Sequence, residues 1–548
     1  MPEYLSPGVY VEEVSSGIKP IEGVGTSTGA FVGRARKGPI NKPQLVTNPT
    51  QFTTIFGGLH QDYLLGYGVV NFFGEGGTRC YVVRVFNPSS AEPNSDRARL
   101  ALNDALTVLA LNEGEWGNSI YVKVTAPAFD ANDPDNEDGK FGLRVFYVRA
   151  GEERFADDDT EAETKEKEEK YLVEVFDRLS MNTLTDGLPN PYHVENQING
   201  KSSYIEVDVG DGDAPDVGAV PQPLAEGAEG AALDAPTDYT GVPGDEEGLK
   251  GLQAFDTIDD INIVAIPDLF NSALTPQEAR IATEAGMNYC EKRKDCFFVA
   301  DCPPGNDPTR GLSATQVLEY KEARGDFATD AGKAFNSTYG ALYYPWVRIF
   351  DPLRGRAISF PPSASIAGVY SATDISRGVH KAPAGVVEGR LKTVVGIQRD
   401  ITKGEQDTLN PKGINVIRNF PEAGIVVWGA RTVSADPEWR YVNVRRLFLF
   451  LEESIDEGTQ WVVFEPNDPT LWARIRRNIS AFLRIQWLEG KLVGLKEEDA
   501  FFVKCDEETN PPESVDLGRV ITIIGVAPSK PAEFVIFRIM QKRPGADA

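Results

Sequence analysis

The sequence predicts a multidomain protein of mixed α/β and α+β class: a core of mixed sheets and helices, a β-rich inserted domain, and an extended strand arm at each end. Three observations lead there. At 548 residues the chain exceeds the length at which a single hydrophobic core stops growing. Continuous apolar runs such as INIVAIPDLF and CFFVADCP alternate with helix-like segments, the pattern of a mostly parallel sheet covered on both faces. Between the outer parts lies a stretch of different composition. Residues 129–260 carry 34 acidic against 10 basic side chains, so −24 of the net charge of −27 sits there. These signals divide the chain into an arm (1–20), a first part of the core (21–128), an acidic β-rich insertion (129–255), an α/β domain (256–400), a C-terminal domain (401–530) and a second arm (531–548).

In chain order, Gly8–Val14 reads as a short strand between Pro7 and Gly17, with Val9, Val11 and Val14 along it. The Gly-flanked run GAFVG reads as a buried strand, QFTTIFG and Tyr63–Phe73 as short helices, and CYVVRVF as a second buried strand. Arg97–Leu111 is helical by composition and SIYVKVTA returns as a strand. Past Pro127, FGLRVFYVRAG, YLVEVFDRLS and SYIEVDV read as strands around a charge run. The Gly, Ala, Pro and Asp-rich tract 211–248 has too little apolar surface to offset its ordering entropy and reads as flexible loop. Strand and helix then alternate through INIVAIPDLF, PQEARIATEAGMNYCEKRK, CFFVADCP and SATQVLEYKEARG. YYPWVRIFDP is the next strand, and a helix ends near Gly378. EAGIVVWGARTV and QWVVFEPN read as strands, YVNVRRLFLFLEESIDEGT and Pro469–Leu488 as helices, and VITIIGVAP and AEFVIFRIMQ as closing strands. The last of these places Phe534, Ile536 and Ile539 in a strand with no local hairpin.

Composition excludes several classes of function. Five cysteines form an odd set with no CxxC spacing, and Cys290, Cys296 and Cys302 are too widely spaced for a zinc knuckle, so they read as buried thiols in a reducing compartment. The start MPEYLSPG is neither basic nor apolar, and no run reaches the roughly eighteen residues of a membrane span, so synthesis in the cytoplasm without direct membrane insertion is expected. An acidic surface repels phosphate, which argues against direct nucleic-acid binding.

The candidate chemical motifs are weak. GTSTG fits the serine-elbow spacing around Ser27, but that elbow needs a strand before the serine and a helix after it, and here the strand follows. His60, His193 and His380 are the only histidines and none is paired in sequence with a nucleophile. DANDPDNEDG resembles a calcium loop but has Pro134 at a ligand position, so it reads as a solvated acidic turn. No phosphate-binding GxxxxGK[ST] occurs, and the reading calls for no metal and no cofactor.

Two features point to partners. On a helix at about 100° per residue, Leu471, Ile475, Ile479, Phe482 and Ile485 gather on one face and Arg474, Arg477 and Arg484 nearly opposite, with Arg476 beside them. Taken alone, such a helix reads first as an ordinary solvated face. The terminal strands at Val9–Val14 and Phe534–Ile539 either fold back on the chain or are donors to a sheet edge on another chain.

NFPEAGIVVWGARTV at 419–433, WRYVNVRRLF at 439–448 and VVFEPNDPTLWARIRRNI at 462–479, with SPGVYVEEV, GTSTGAFVGRARKGP and CYVVRV near the start, are similar to the contractile tail sheath family of myophages and bacterial contractile injection systems. The resemblance implies a non-enzymatic structural subunit that self-assembles into a helical sheath around an inner tube, meets baseplate and terminal cap proteins, and contracts to drive the tube into a target envelope. It implies that the C-terminal helix faces the tube, making Arg474, Arg476, Arg477 and Arg484 the expected contacts, and that the arms complete sheets of adjacent subunits. The insertion is expected on the outer surface, and the protein in a phage tail or tail-like particle. A serine hydrolase using Ser27 and a non-contractile structural shell are the alternatives.

Overall fold

The run Gly29–Gly33 (β1) is buried at every residue, as a strand covered on both faces must be, and it lies inside the largest sheet of the computed structural model. The structure describes residues 21–536 except 128–139, 150, 157, 186–187, 211, 245–247, 272, 306 and 308–309. Around β1 stand Gln44–Val46 (β2), Cys80–Arg84 (β3), Ile263–Ala265 (β4), Phe297–Asp301 (β5), Gly340–Tyr344 (β6), Ile414–Phe420 (β7) and Gly424–Val427 (β8), in the order β2-β3-β1-β4-β5-β6-β7-β8. The strands from β3 to β7 in that order are parallel, and β2 and β8 close the edges antiparallel.

The chain adds strands to one side of β1 first and then to the other, so the order reverses between β1 and β4. In doubly wound sheets that reversal opens a crevice at the carboxyl ends of the strands, where ligands bind. Here side chains of the protein fill it. Arg34, which follows β1, donates from Nε to Asp268 Oδ2 at 2.7 Å, and Asp268 is fully buried. Asp268 also accepts from the Leu64 amide at 2.9 Å and from the Tyr239 hydroxyl at 3.3 Å, while Tyr63 lies under the Arg34 guanidinium.

Local signals place the helices. Pro49–Phe56 (α1) starts at Asn48, whose side chain accepts from the Gln51 amide, and stops at Gly57 in the left-handed region. Leu65–Glu75 (α2) follows. Pro276–Arg293 (α3) and Ala314–Glu322 (α4) open on capping boxes, Thr275 with Glu278 and Ser313 with Gln316. Ser363–Arg377 (α5) crosses α2 closely because Gly368 lacks a Cβ, which would sit 2.6 Å from the Phe72 carbonyl oxygen. Val442–Thr459 (α6) and Pro469–Leu488 (α7) form the C-terminal unit with a two-stranded sheet, Phe501–Lys504 (β9) and Ile523–Val526 (β10). Leu447, Phe450, Leu471, Ile475, Phe482 and Phe501 share its core, which Ile21 joins from the start of the chain.

The inserted unit holds two further sheets, 99–103/106–110/205–209 and 120–125/140–147/172–180/222–223. Both surround one cluster containing Val108, Trp116, Val122, Val145 and Ile205. Strands from both sides of residue 128 are therefore packed together. The helix expected over 97–111 is a β-hairpin, because alternation in LTVLA buries Leu106, Val108 and Ala110 against this cluster. The tract 211–248 is less loop-like than its composition suggests. Leu224, Leu233 and Tyr239 are each buried, borrowing cores that already exist.

Two other expectations are corrected. The single strand read across 343–352 is two: β6 ends at Tyr344, and Val347–Asp351 pairs in a separate three-stranded sheet. QWVVFEPN is no strand, because Gln460–Val462 forms a 3₁₀ turn that reverses the chain between α6 and α7.

Candidate functional site

Helix α7 occupies the residues expected, because Asp468 caps it by accepting from the Leu471 amide and Pro469 takes the first helical position. Leu471, Trp472, Ile475, Ile479, Phe482 and Leu483 are buried. Ile485 is not: it is 51% exposed, and Gln486 is buried in its place, because the contact face winds around the helix. Toward the end of α7 and in the loop beyond it, Ile485, Leu488, Val493 and Leu495 are exposed apolar residues beside the basic face.

The four arginines separate into two kinds. Arg474 pairs with Glu465 at 3.2 Å and stacks over Trp461, holding the α6–α7 turn. Arg476 donates to the Cys505 carbonyl at 3.0 Å, tying α7 to β9. Arg477 is exposed, and Arg484 is exposed with only a 3.4 Å ion pair to Glu497. Seven residues turn a helix through about 700°, so these two point the same way. Helical periodicity located the basic face but could not tell which arginines were already engaged, since their partners Glu465 and Cys505 lie on other elements.

At the chain ends, Val9, Val11, Val14 and Ile539 lie outside the described residues. Phe534 and Ile536 are 72% and 79% exposed, in extended chain rather than in a strand of this molecule. Just before them Glu533 is fixed by Arg431 at 2.6 Å, Asn410 at 2.7 Å and the Tyr441 hydroxyl at 3.1 Å. The β9–β10 sheet has two strands of four residues, so each has one edge without a strand neighbour among the described residues.

Ser27 stands in extended chain immediately before β1, with a strand after it and no helix, which is the reverse of a nucleophile elbow. His60 stacks on Tyr63, and His193 and His380 lie on separate elements. All five cysteines are free and buried, and burial pushes the Cys302 thiol well up. The calcium-like loop lies outside the described residues. Among the described residues no helix is long and apolar enough to cross a membrane.

One titratable group sits where α6 meets the core. Glu453 is half-buried, and burial, then Asp295 and Glu457, push its carboxyl up to about 8 from the ordinary 4.5, with Arg293 opposing and Asp260 adding. The native state keeps a proton that the unfolded chain releases, so this stabilisation is complete below about 4.5 and is lost as the pH rises to about 8. Solvent reaches one side of the group, so the unfolding free energy of the monomer should fall by about 1–2 kcal/mol across that interval. Urea titrations at the two ends of the interval measure the fall, and Glu453→Gln should flatten it.

The phage tail sheath protein central domain matches residues 241–433 and the phage tail sheath C-terminal domain residues 434–542. The tail sheath protein of Vibrio phage KVP40 is 27% identical over 263 residues, 46% of this chain and 38% of that protein. That of Enterobacteria phage T4 is 25% identical over 264 residues, 47% of this chain and 38% of that protein. The chain thus spans less than half the length of these curated relatives. Among solved structures, the contracted PVC sheath of an extracellular contractile injection system superposes with a TM-score of 0.56 at 22% identity, covering 99% of each chain. The contracted helical sheath of the anti-feeding prophage gives 0.55 at 23%, covering 98% of this chain and all of that one. With its two domain matches together covering more than half of its length, this chain belongs to the phage tail sheath family.

Proposed function

We propose that the chain is the structural subunit of a helical contractile sheath. Copies assemble around an inner tube in an extended, metastable lattice, and on triggering they rotate and slide into a wider, shorter one that drives the tube into a target envelope. The observation that carries this is the match to both tail sheath domains across residues 241–542. Contacts that repeat without closing generate a helical filament, the assembly expected of such a subunit. The partners are further copies of the chain, the tube protein, and baseplate and cap proteins. The particle is a phage tail or a phage-tail-like device. The mechanism is mechanical and uses no catalytic serine.

Within this reading the terminal arms add strands to neighbouring subunits, and the open edges of β9 and β10 suit them as acceptors. The exposed pair Arg477 and Arg484 meets acidic groups on the tube, while Arg474 and Arg476 are engaged with Glu465 and the Cys505 carbonyl of the same molecule. Exposed ion pairs contribute about 0.2–1 kcal/mol each, so many copies hold the tube yet each releases readily. The acidic insertion faces outward.

Charge reversal tests the assignment. Arg477→Glu with Arg484→Glu should leave the fold intact and lower the melting temperature only slightly, through the exposed Arg484–Glu497 pair, and should abolish sheath assembly on the tube in electron micrographs. Normal co-assembly of that variant would refute the tube contact.

A further inference from the structure

Residues 21–26 run along one stripe of α6, touching Arg446, Phe450, Ser454 and Gly458, which are spaced four apart on the helix. Ile21 covers Gly458, where a Cβ would sit 2.7 Å from the isoleucine side chain. Gly23 lies against Phe450, 2.9 Å from where its own Cβ would be. The Val24 amide donates to Ser454 Oγ at 3.1 Å, and Arg446 Nη2 donates to the Thr26 carbonyl at 2.8 Å. The lengths agree: twelve helical residues rise about 18 Å, and five extended residues span about 17 Å. Glycine is a poor helix former, and Gly458 is placed where only glycine admits Ile21.

The other chain end is fastened to the opposite end of the same helix. Tyr441, the residue that caps α6, donates to Glu533, and Asn443 in its first turn donates to the Ser529 carbonyl at 3.2 Å. The roots of the two arms are therefore held about 25 Å apart by one helix. Arg446, in the second turn, joins α6 to α5 through an almost fully buried ion pair with Asp374 at 2.6 Å.

We infer that α6 is a strut of fixed length between the two arms, carrying tension from the N-terminal arm at Gly458 to the C-terminal arm at Tyr441 and Asn443. The strap 21–26, bonded in parallel along the helix, is loaded in shear, so the pull does not peel β1 out of the core sheet. Arm-to-arm spacing in each subunit then stays constant while the lattice around it changes. This rests on the proposed role of the arms in linking subunits.

The test uses the full-length chain assembled into tubes. Ser454→Ala and Gly458→Leu weaken the N-terminal joint, and Glu533→Gln weakens the C-terminal one. Ser454→Ala should speed hydrogen exchange of amides 21–26 by about two- to tenfold, the loss of one hydrogen bond. Tubes of each variant should form but break into shorter fragments under hydrodynamic shear. Joints in series fail at the weaker one, so Gly458→Leu with Glu533→Gln should give fragments no shorter than the worse single variant. Additive shortening, or faster exchange with wild-type fragment lengths, overturns the strut. Should Gly458→Leu misfold, Ser454→Ala combined with Glu533→Gln makes the same comparison. Deletion of residues 1–18 separates the two claims. Normal tubes from it sink the role of the arms, whereas lost assembly with unaltered fragment lengths in the joint variants sinks only the strut.

Discussion

Replacing Arg446 with methionine should lower the unfolding free energy of the monomer by about 3–5 kcal/mol, because it strands a carboxylate in the interior. The side chains of Arg446 and Asp374 are 3% and 2% exposed, and both Nη atoms of the arginine contact the carboxylate, at 2.9 and 2.6 Å. Burial acts to raise the Asp374 pKa and Arg446 is the largest opposing influence, so the arginine is what keeps the charged form tolerable. The effect should be visible as a lower urea midpoint. Removing both charges, with Arg446→Met and Asp374→Leu together, should restore most of the loss, since two apolar side chains of similar size leave no charge unpaired. A double variant as unstable as the single one would place the cost in packing instead.

Asp268→Ala should be the second most damaging change, at about 3 kcal/mol. The carboxylate joins three parts of the chain at the crevice between β1 and β4: Arg34 after β1, the Leu64 amide before α2, and Tyr239 on the segment that returns from the insertion. Arg34 is partly exposed and can hydrate when the partner is lost, but the Leu64 amide and Tyr239 hydroxyl are buried and cannot. Asp268→Asn keeps an oxygen for the Leu64 amide and should lose about half as much. Hydrogen exchange should show residues 236–240 opening early in Asp268→Ala, ahead of the rest of the core.

Much of the architecture was legible because its signals are local. A strand buried on both faces is written as an unbroken apolar run, and GAFVG, CYVVR and FFVAD all became central strands. Asp468 followed by Pro469 marks a helix start within a few residues, so α7 could be bounded at both ends. The misreadings share a cause. LTVLA is helical or extended depending on what pairs with it, and the strand 205–209, a hundred positions away, decides for strand. YYPWVRIFDP has one continuous apolar pattern, yet its halves pair in different sheets because the neighbours that claim them are not encoded in the run itself: Tyr343 pairs with Asn415 and Val347 with Phe360.

The candidate site divides in the same way. A basic stripe on α7 follows from residue spacing, and membership of the sheath family follows from long motifs that survive as text. Which arginines are free to meet a partner does not follow, because Glu465 and the Cys505 carbonyl reach Arg474 and Arg476 from other elements. Nothing near Ile21 announces that it will lie on Gly458, more than four hundred residues later. Sequence by itself determined most helices and buried strands outside the insertion, the family and the existence of a charged face, since caps, periodicity and turn chemistry act over a few neighbouring residues. Tertiary structure alone decided which distant segments share a sheet, which charges are spent inside the molecule, and that both chain ends are fastened to one helix, because those outcomes depend on long-range packing that no local pattern records.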